Sequence, residues 1–188
     1  MLRRIVFGAV LFGVFAVPVL TQTIDELLND GKNTENVLTQ SLGYDRKSYS
    51  PLKQINKTNI KRLVPIWNSS LMNDQGELAA PTIYNGVMYL MKEGGILSSL
   101  DPTSGAVLKM GRTPDALEPY YASPVAADGK VFLVSASGKI TVIKADAQWE
   151  ILATSDLDEE CWATPAIAGN NIYIRTRDAL YSFGQGAN

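Results

Sequence analysis

Three stretches, "APTIYNGVMYL", "SPVAADGKVFLV" and "TPAIAGNNIYI", repeat one pattern within 188 residues. Their prolines, Pro81, Pro124 and Pro165, lie 43 and 41 residues apart, a period that belongs to propeller blades and solenoids. Four and five residues after each proline stand Asn85-Gly86, Asp128-Gly129 and Gly169-Asn170, all residues that tolerate the positive φ of a two-residue hairpin turn. Apolar runs follow at Met88-Tyr89-Leu90, Val131-Phe132-Leu133 and Ile172-Tyr173-Ile174, suited to strands buried on both faces. Each proline then falls at the first residue of a strand, where its missing N–H does no harm.

A second turn, at "KEGG", "ASGK" and "TRDA", leads in each copy to a third strand, "ILSSL", "ITVI" and "ALYSF". "GAVLKM" and "WEILATSDL" supply fourth strands for the first two copies, and the third copy has none of its own. The expected fold is all-β: a partial β-propeller of about three four-stranded blades over residues 63–188. The strand-like segment "LVPIWNSSL", Leu63 to Leu71, is expected to complete the last blade. Closed propellers use roughly four to eight blades, so a three-bladed arc leaves open faces and edges that favour a protein partner or self-association.

The N-terminus predicts export. Arg3 and Arg4 precede a 16-residue apolar run, Ile5 to Leu20, broken by Pro18 and short of the roughly 20 residues that span a bilayer. Residues 1–22 are therefore a signal peptide, with cleavage after Thr21 or Thr23, or else an uncleaved anchor helix, the only contact expected with a membrane. The destination is periplasmic or secreted. Residues 23–62 form a flexible arm with short helices, one in "TIDELLNDG" with Thr23 as N-cap and Gly31 as stop, one in "NKTNIKRL" opened by Asn56 or Thr58.

Composition excludes several chemistries. A net charge of −2 provides no broad positive field for nucleic acid, and the basic residues between Arg46 and Arg62 are expected to form a solvated face. There is no His, which removes the Ser-His-Asp triad and every His-containing zinc site. Cys161 is the sole cysteine and is expected to be a small, half-buried apolar residue. The acidic run Asp156 to Glu160, "DLDEE", is either a solvated loop or a set of oxygen ligands for a hard cation, so the metal assignment stays unknown.

"YDRKSYSPLKQINKTNIKRLVPIW" followed by "APTIYNGVMYL" resembles the N-terminal segment of the pyrroloquinoline-quinone (PQQ)-dependent alcohol dehydrogenases, which are eight-bladed secreted enzymes. From "KEGGILSSLDPTSGAVLK" to "ECWATPAIAGNNIYIRTRDALYSFG" the chain is similar to the final blades of quinoprotein-like repeat propellers. The superfamily's repeat motif is an Asp, then Thr-Gly, then a docking Trp four residues on. Asp101, Ser104 and Gly105 match it weakly, and Lys109 stands in the place of the Trp.

The resemblance implies a quinone held on a Trp beneath a disulfide of adjacent cysteines, a calcium ion at its carbonyl and an Asp as base. No Cys-Cys pair is present, and the quinone-stacking Trp and the base belong to later blades of those enzymes. Trp67, Trp149 and Trp162 are expected to pack between blades, and no catalytic or cofactor-binding residue is assigned. The leading expectation is a non-catalytic binding or assembly segment without cofactor. The alternative is a remnant of a dehydrogenase using PQQ and calcium, and a third reading joins two ends of a longer propeller near Met91 to Gly94.

Overall fold

A computed structural model describes residues 24–43, 46–70, 79–114 and 117–184. The expected signal or anchor helix over 1–22 and the Thr23 cap lie outside the described residues. Three antiparallel sheets follow one another along the chain. Blade 1 contains β1 (Thr82–Tyr84), β2 (Val87–Lys92), β3 (Ile96–Leu100) and β4 (Val107–Arg112). Blade 2 contains β5 (Val125–Ala127), β6 (Lys130–Val134), β7 (Lys139–Lys144) and β8 (Ile151–Asp156). Blade 3 contains β9 (Ala166–Ala168), β10 (Asn171–Arg175) and β11 (Leu180–Phe183). The strands of each blade lie in chain order, and each proline immediately precedes its first strand.

The tight turns are where the sequence puts them. Asn85, Gly86, Asp128, Gly129, Gly169 and Asn170 all have positive φ, as a hairpin turn matched to strand twist demands. Blades 1 and 2 also share an irregularity, a register shift at Ser99/Leu100 and again at Val142/Ile143, the same place in each copy. Met91 to Gly94 lies in a regular hairpin whose strands pair through Met91↔Leu97 and Lys92↔Ile96.

Alternation along each central strand gives a blade two faces. Tyr89 and Met91 of blade 1 meet Val131 and Leu133 of blade 2 in one core. Val134 and Ile140 of blade 2 meet Cys161 and Ile174 in a second. Burying each such side chain contributes about 1.5–3 kcal/mol, so neighbouring blades stabilise one another. Trp149, 4% exposed, belongs to the first core. It arrives from the β7–β8 turn and lies against Gly111 of β4, where a Cβ would stand 2.7 Å from the indole. Lys109 caps the ring, its ammonium 4.4 Å from the centroid, and donates to the Trp149 carbonyl. The residue in the motif's Trp position thus holds a Trp from the next blade.

Two expectations are corrected. Leu63 to Ser70 forms no strand and does not complete blade 3: Trp67 donates its indole N–H to the Pro102 carbonyl at 3.1 Å and packs on Gly105, which has no Cβ to block it, while Lys92 donates to the Ser70 carbonyl at 3.0 Å. These contacts fix the segment to blade 1, and Leu71 lies outside the described residues. The arm is also not a loose tether. Its α1 (Ile24–Leu28) and Leu38 dock on blade 1, with Leu27 and Leu38 buried and Val37 bridging Ile83. Asp30, fully buried, accepts from the Leu38 and Thr39 N–H groups at 3.1 and 2.9 Å and from the Thr39 hydroxyl at 2.7 Å. Gly31 sits inside a 3₁₀ turn, Asp30–Lys32, rather than at a helix stop, and the Leu42 carbonyl, 2.5 Å from where a Cβ would stand, leaves no room for a side chain there. The second helix is a 3₁₀ turn, Ile60–Arg62, preceded by Asn56 accepting from the Thr58 N–H at 2.9 Å. Lys53, Lys57, Lys61 and Arg62 are exposed, as a solvated face requires.

Trp149→Ala is expected to cost about 3–5 kcal/mol in chemical denaturation, and Trp149→Phe much less. The difference arises because the buried indole N–H makes no hydrogen bond and the loss is one of volume.

Candidate functional site

The chemistry-bearing residues left over from packing gather where blade 3 begins. The β8–β9 connection carries the acidic run, then Cys161 and Trp162, and it runs beside the β10–β11 turn. A cleft of about 400 Å³ opens there, lined by Glu160, Trp162, Ala163, Arg175, Thr176 and Arg177. Two backbone bonds build it: the Arg177 N–H donates to the Glu160 carbonyl at 2.8 Å, and the Cys161 N–H donates to the Ala136 carbonyl of blade 2 at 3.0 Å.

The acidic run is divided among separate partners. Asp156 accepts from Lys139 at 2.7 Å, and this bond holds its carboxyl below the usual aspartate range. Glu159 accepts from the Thr176 hydroxyl at 2.5 Å and from the Tyr181 hydroxyl, and these two donors lower its pKa. The same contact raises the Tyr181 phenol. Glu160 pairs with Arg177 at 3.4 Å across an exposed surface, worth little by itself. Asp158 turns the chain with φ of 54°, its N–H donating to Asp156. Among the described residues no three Asp, Glu or Cys side chains converge as metal ligands.

Cys161 is fully buried in the core between blades 2 and 3 rather than half-buried. Its thiol donates to the Arg175 carbonyl at 3.2 Å, and burial pushes its pKa up, the opposite of what a nucleophile needs. The three tryptophans part company. Trp149 packs between blades 1 and 2 as expected, Trp67 is half-buried on the 102–105 turn of blade 1 alone rather than between blades, and Trp162 is 65% exposed and touches Tyr121 edge-on, with ring centroids 5.9 Å apart. The exposed Trp162 shares one cleft with Arg175 and Arg177, a grouping not legible in the sequence because the arginines lie in a different strand and turn.

A quinone site needs a flat clamp, cations for its carboxylates and metal ligands at its reactive carbonyl. Here Trp149 is buried in packing and Trp67 is half-buried on the blade 1 turn, Asp156, Glu159 and Glu160 are bound by separate protein donors, and the only thiol is buried. The residues present do not fit such a group.

The family model "Glucose/ethanol/alcohol dehydrogenase, beta-propeller domain" matches residues 41–118, a stretch that spans Met91 to Gly94 and so places the supposed junction inside one family match. The chain is related to the quinoprotein dehydrogenase β-propellers. It is 35% identical over 99 residues to a quinoprotein alcohol dehydrogenase of Pseudomonas putida, covering 50% of this chain and 17% of that one. It is 34% identical over 123 residues to the 1-butanol dehydrogenase (quinone) of Thauera butanivorans, covering 63% and 20%. The chain thus spans about a fifth of the length of these relatives. Among solved structures it is similar to a europium-containing methanol dehydrogenase, with a TM-score of 0.67 at 20% identity over 80% of this chain and 29% of that one. It is also similar to the quinohemoprotein alcohol dehydrogenase of Comamonas testosteroni, with a TM-score of 0.69 at 19% identity over 80% and 24%. At these identities the structural likeness is one of fold.

The Glu159 cluster has a pH signature. Its folded pKa is depressed, so the stability it contributes is present above the ordinary glutamate pKa and is lost as pH falls through the folded value. Between roughly pH 5 and pH 3, urea midpoints of the wild-type chain should fall more steeply than those of Glu159→Gln.

Proposed function

We propose that this chain acts as an exported, non-catalytic PQQ-type propeller segment whose role is docking to another protein. The observation that carries this reading is the contrast between matched strands. Val125, Ala126 and Ala127 of β5 are 4%, 0% and 6% exposed, whereas Ala166 and Ala168 of β9 are exposed and Ile167 half-buried. Blade 3 is thus built to the same plan as blade 2 and, among the described residues, has no neighbour on its far face. Exposed apolar residues at its outer edge, Leu180 and Phe183, extend that surface along β11. Such a strand edge invites pairing with another chain.

Export rests on the sequence of the first residues, Arg3-Arg4 followed by the apolar run to Leu20. Among the described residues no helix is long and apolar enough to cross a membrane.

The alternative is catalysis of the kind named for the relatives, oxidation of an alcohol with PQQ and calcium. The scattered carboxylates of the acidic run and the buried Trp149 speak against it, since positioning errors of about 1 Å at a reacting group can cost a hundredfold in rate. Calorimetric titration of the chain with PQQ and calcium, together with a dye-reduction assay on ethanol, is expected to give no submicromolar binding and no calcium-dependent turnover. Submicromolar affinity with calcium-dependent alcohol oxidation would replace the docking reading with the catalytic one.

A further inference from the structure

A second cavity, of about 380 Å³, lies in the N-terminal arm, and every residue that lines it belongs to the arm. Leu28, Gly31 and Lys32 stand on one side, and Leu42, Gly43, Lys47 and Tyr49 on the other. The glycines and the half-buried Leu42 are the sheltered part of this lining. Leu28 at the end of α1 and the Tyr49 ring, 59% and 70% exposed, are its open part. A volume of this order falls within the roughly 300–1,000 Å³ that holds small organic ligands.

The frame of the cavity is fixed by bonds that start at the buried Asp30. Its carboxylate holds the Leu38 and Thr39 N–H groups, and Thr39 passes the constraint on. The Thr39 hydroxyl accepts from the Gly43 N–H at 2.8 Å, and the Thr39 carbonyl accepts from the Leu42 N–H at 3.2 Å. Leu42 is thereby held at φ of 56°, a left-handed conformation that is costly for a bulky side chain. Its carbonyl presses on Gly31, where no Cβ fits. Arg46 and Ser48 also have positive φ, 51° and 48°, and the Ser48 N–H returns to the Ser41 carbonyl at 3.0 Å. Strain of this kind persists only where the surrounding structure imposes it, and it gathers at ligand sites.

Among the described residues the lining carries two ammonium groups and no carboxylate. Asp30, beside Gly31, has both carboxylate oxygens bound by Leu38 and Thr39. Lys32 donates one N–H to the Asn29 amide oxygen at 3.0 Å, which fixes the side chain and leaves two N–H groups for a ligand. An ammonium is a compact point charge without the planar fork of arginine. Two of them beside leucine and tyrosine suit a single negative charge carried on an apolar body.

We propose that the arm cavity binds a small organic carboxylate with an apolar chain or ring. The carboxylate lies between Lys32 and Lys47, and the apolar body lies along Leu28, Leu42 and the Tyr49 ring. The ligand ties the α1 end of the arm to its strained turn, so binding is a property of the arm and does not depend on the docking or the quinone reading.

Sodium octanoate is the probe, added to the isotope-labelled full chain and followed by amide chemical shifts. Saturable shifts are expected at the Gly31 and Gly43 amides. Octanol keeps the body without the charge and acetate keeps the charge without the body, and each should bind at least about tenfold more weakly. Lys32→Gln and Lys47→Gln should each weaken octanoate by about tenfold, whereas Lys61→Gln, on the same arm and outside the lining, should leave it unchanged. All three lysines are exposed, so the variants keep the fold, which their unliganded amide spectra check.

Octanol bound as tightly as octanoate would overturn the role of the lysines. Acetate bound as tightly would mean an adventitious ion only and overturn the role of the apolar lining. Shifts that spare Gly31 and Gly43, or that never saturate, would overturn the site, as would an equal loss in Lys61→Gln, which marks attraction to the basic arm at large.

Discussion

A sheet of three or four strands has two faces, and in this molecule a neighbouring sheet, with the N-terminal arm on blade 1, covers them. Everything else in the structure depends on that constraint. Blades 1 and 2 turn Tyr89, Met91, Val131 and Leu133 into one core, and blades 2 and 3 bury Cys161 and Ile174 in another. Stability in such an array is approximately the sum of blade terms and nearest-neighbour interface terms. The boundary is where folding free energy is gained, and each boundary needs partners from both sides. Trp149 shows the dependence most directly, since it belongs to blade 2 by sequence and to the surface of blade 1 by contact, seated on a glycine and capped by a lysine.

The period, the turns and the strands were legible because they are local. A hairpin turn with positive φ at two residues leaves its mark in Asn85-Gly86 and Asp128-Gly129, and strand register follows from the alternation on either side. The fourth strands of blades 1 and 2 could be read for the same reason. What could not be read were contacts made at long sequence separation. Trp67 finds Pro102 and Gly105 through a cavity that only the folded β3–β4 turn creates. Asp30 is an ordinary acidic residue in a polar segment until Leu38 and Thr39 fold back and aim their N–H groups at it. The arm was expected to be flexible because its composition is polar, and it is held by two buried leucines and one carboxylate.

The candidate site obeys the same distinction. The acidic run from Asp156 to Glu160 is visible as a string of negative charge, and a string of charge says nothing of where each carboxylate points. In the folded chain Asp156 faces Lys139, Glu159 faces Thr176 and Tyr181, and Glu160 faces Arg177. Three of the four acids in these five positions become structural fastenings for the turn and strands beside them, instead of a cage. Trp162 illustrates the reverse case. It shares its residue type with two packing tryptophans, and among the described residues no further blade covers it.

The face of blade 3 that no described residue covers is mixed in character. An apolar sheet face left uncovered would stack on any similar surface, whereas a charge at its centre makes indiscriminate burial costly. Arg175 supplies that charge at a position held by Met91 and Val134 in the covered blades. It keeps the face wet beside the exposed Trp162 ring, which lines the same cleft. An exposed ring and a charge in the middle separate recognition from stickiness: a surface of this kind gains little from apolar contact alone, and it gains most from a partner that answers the charge.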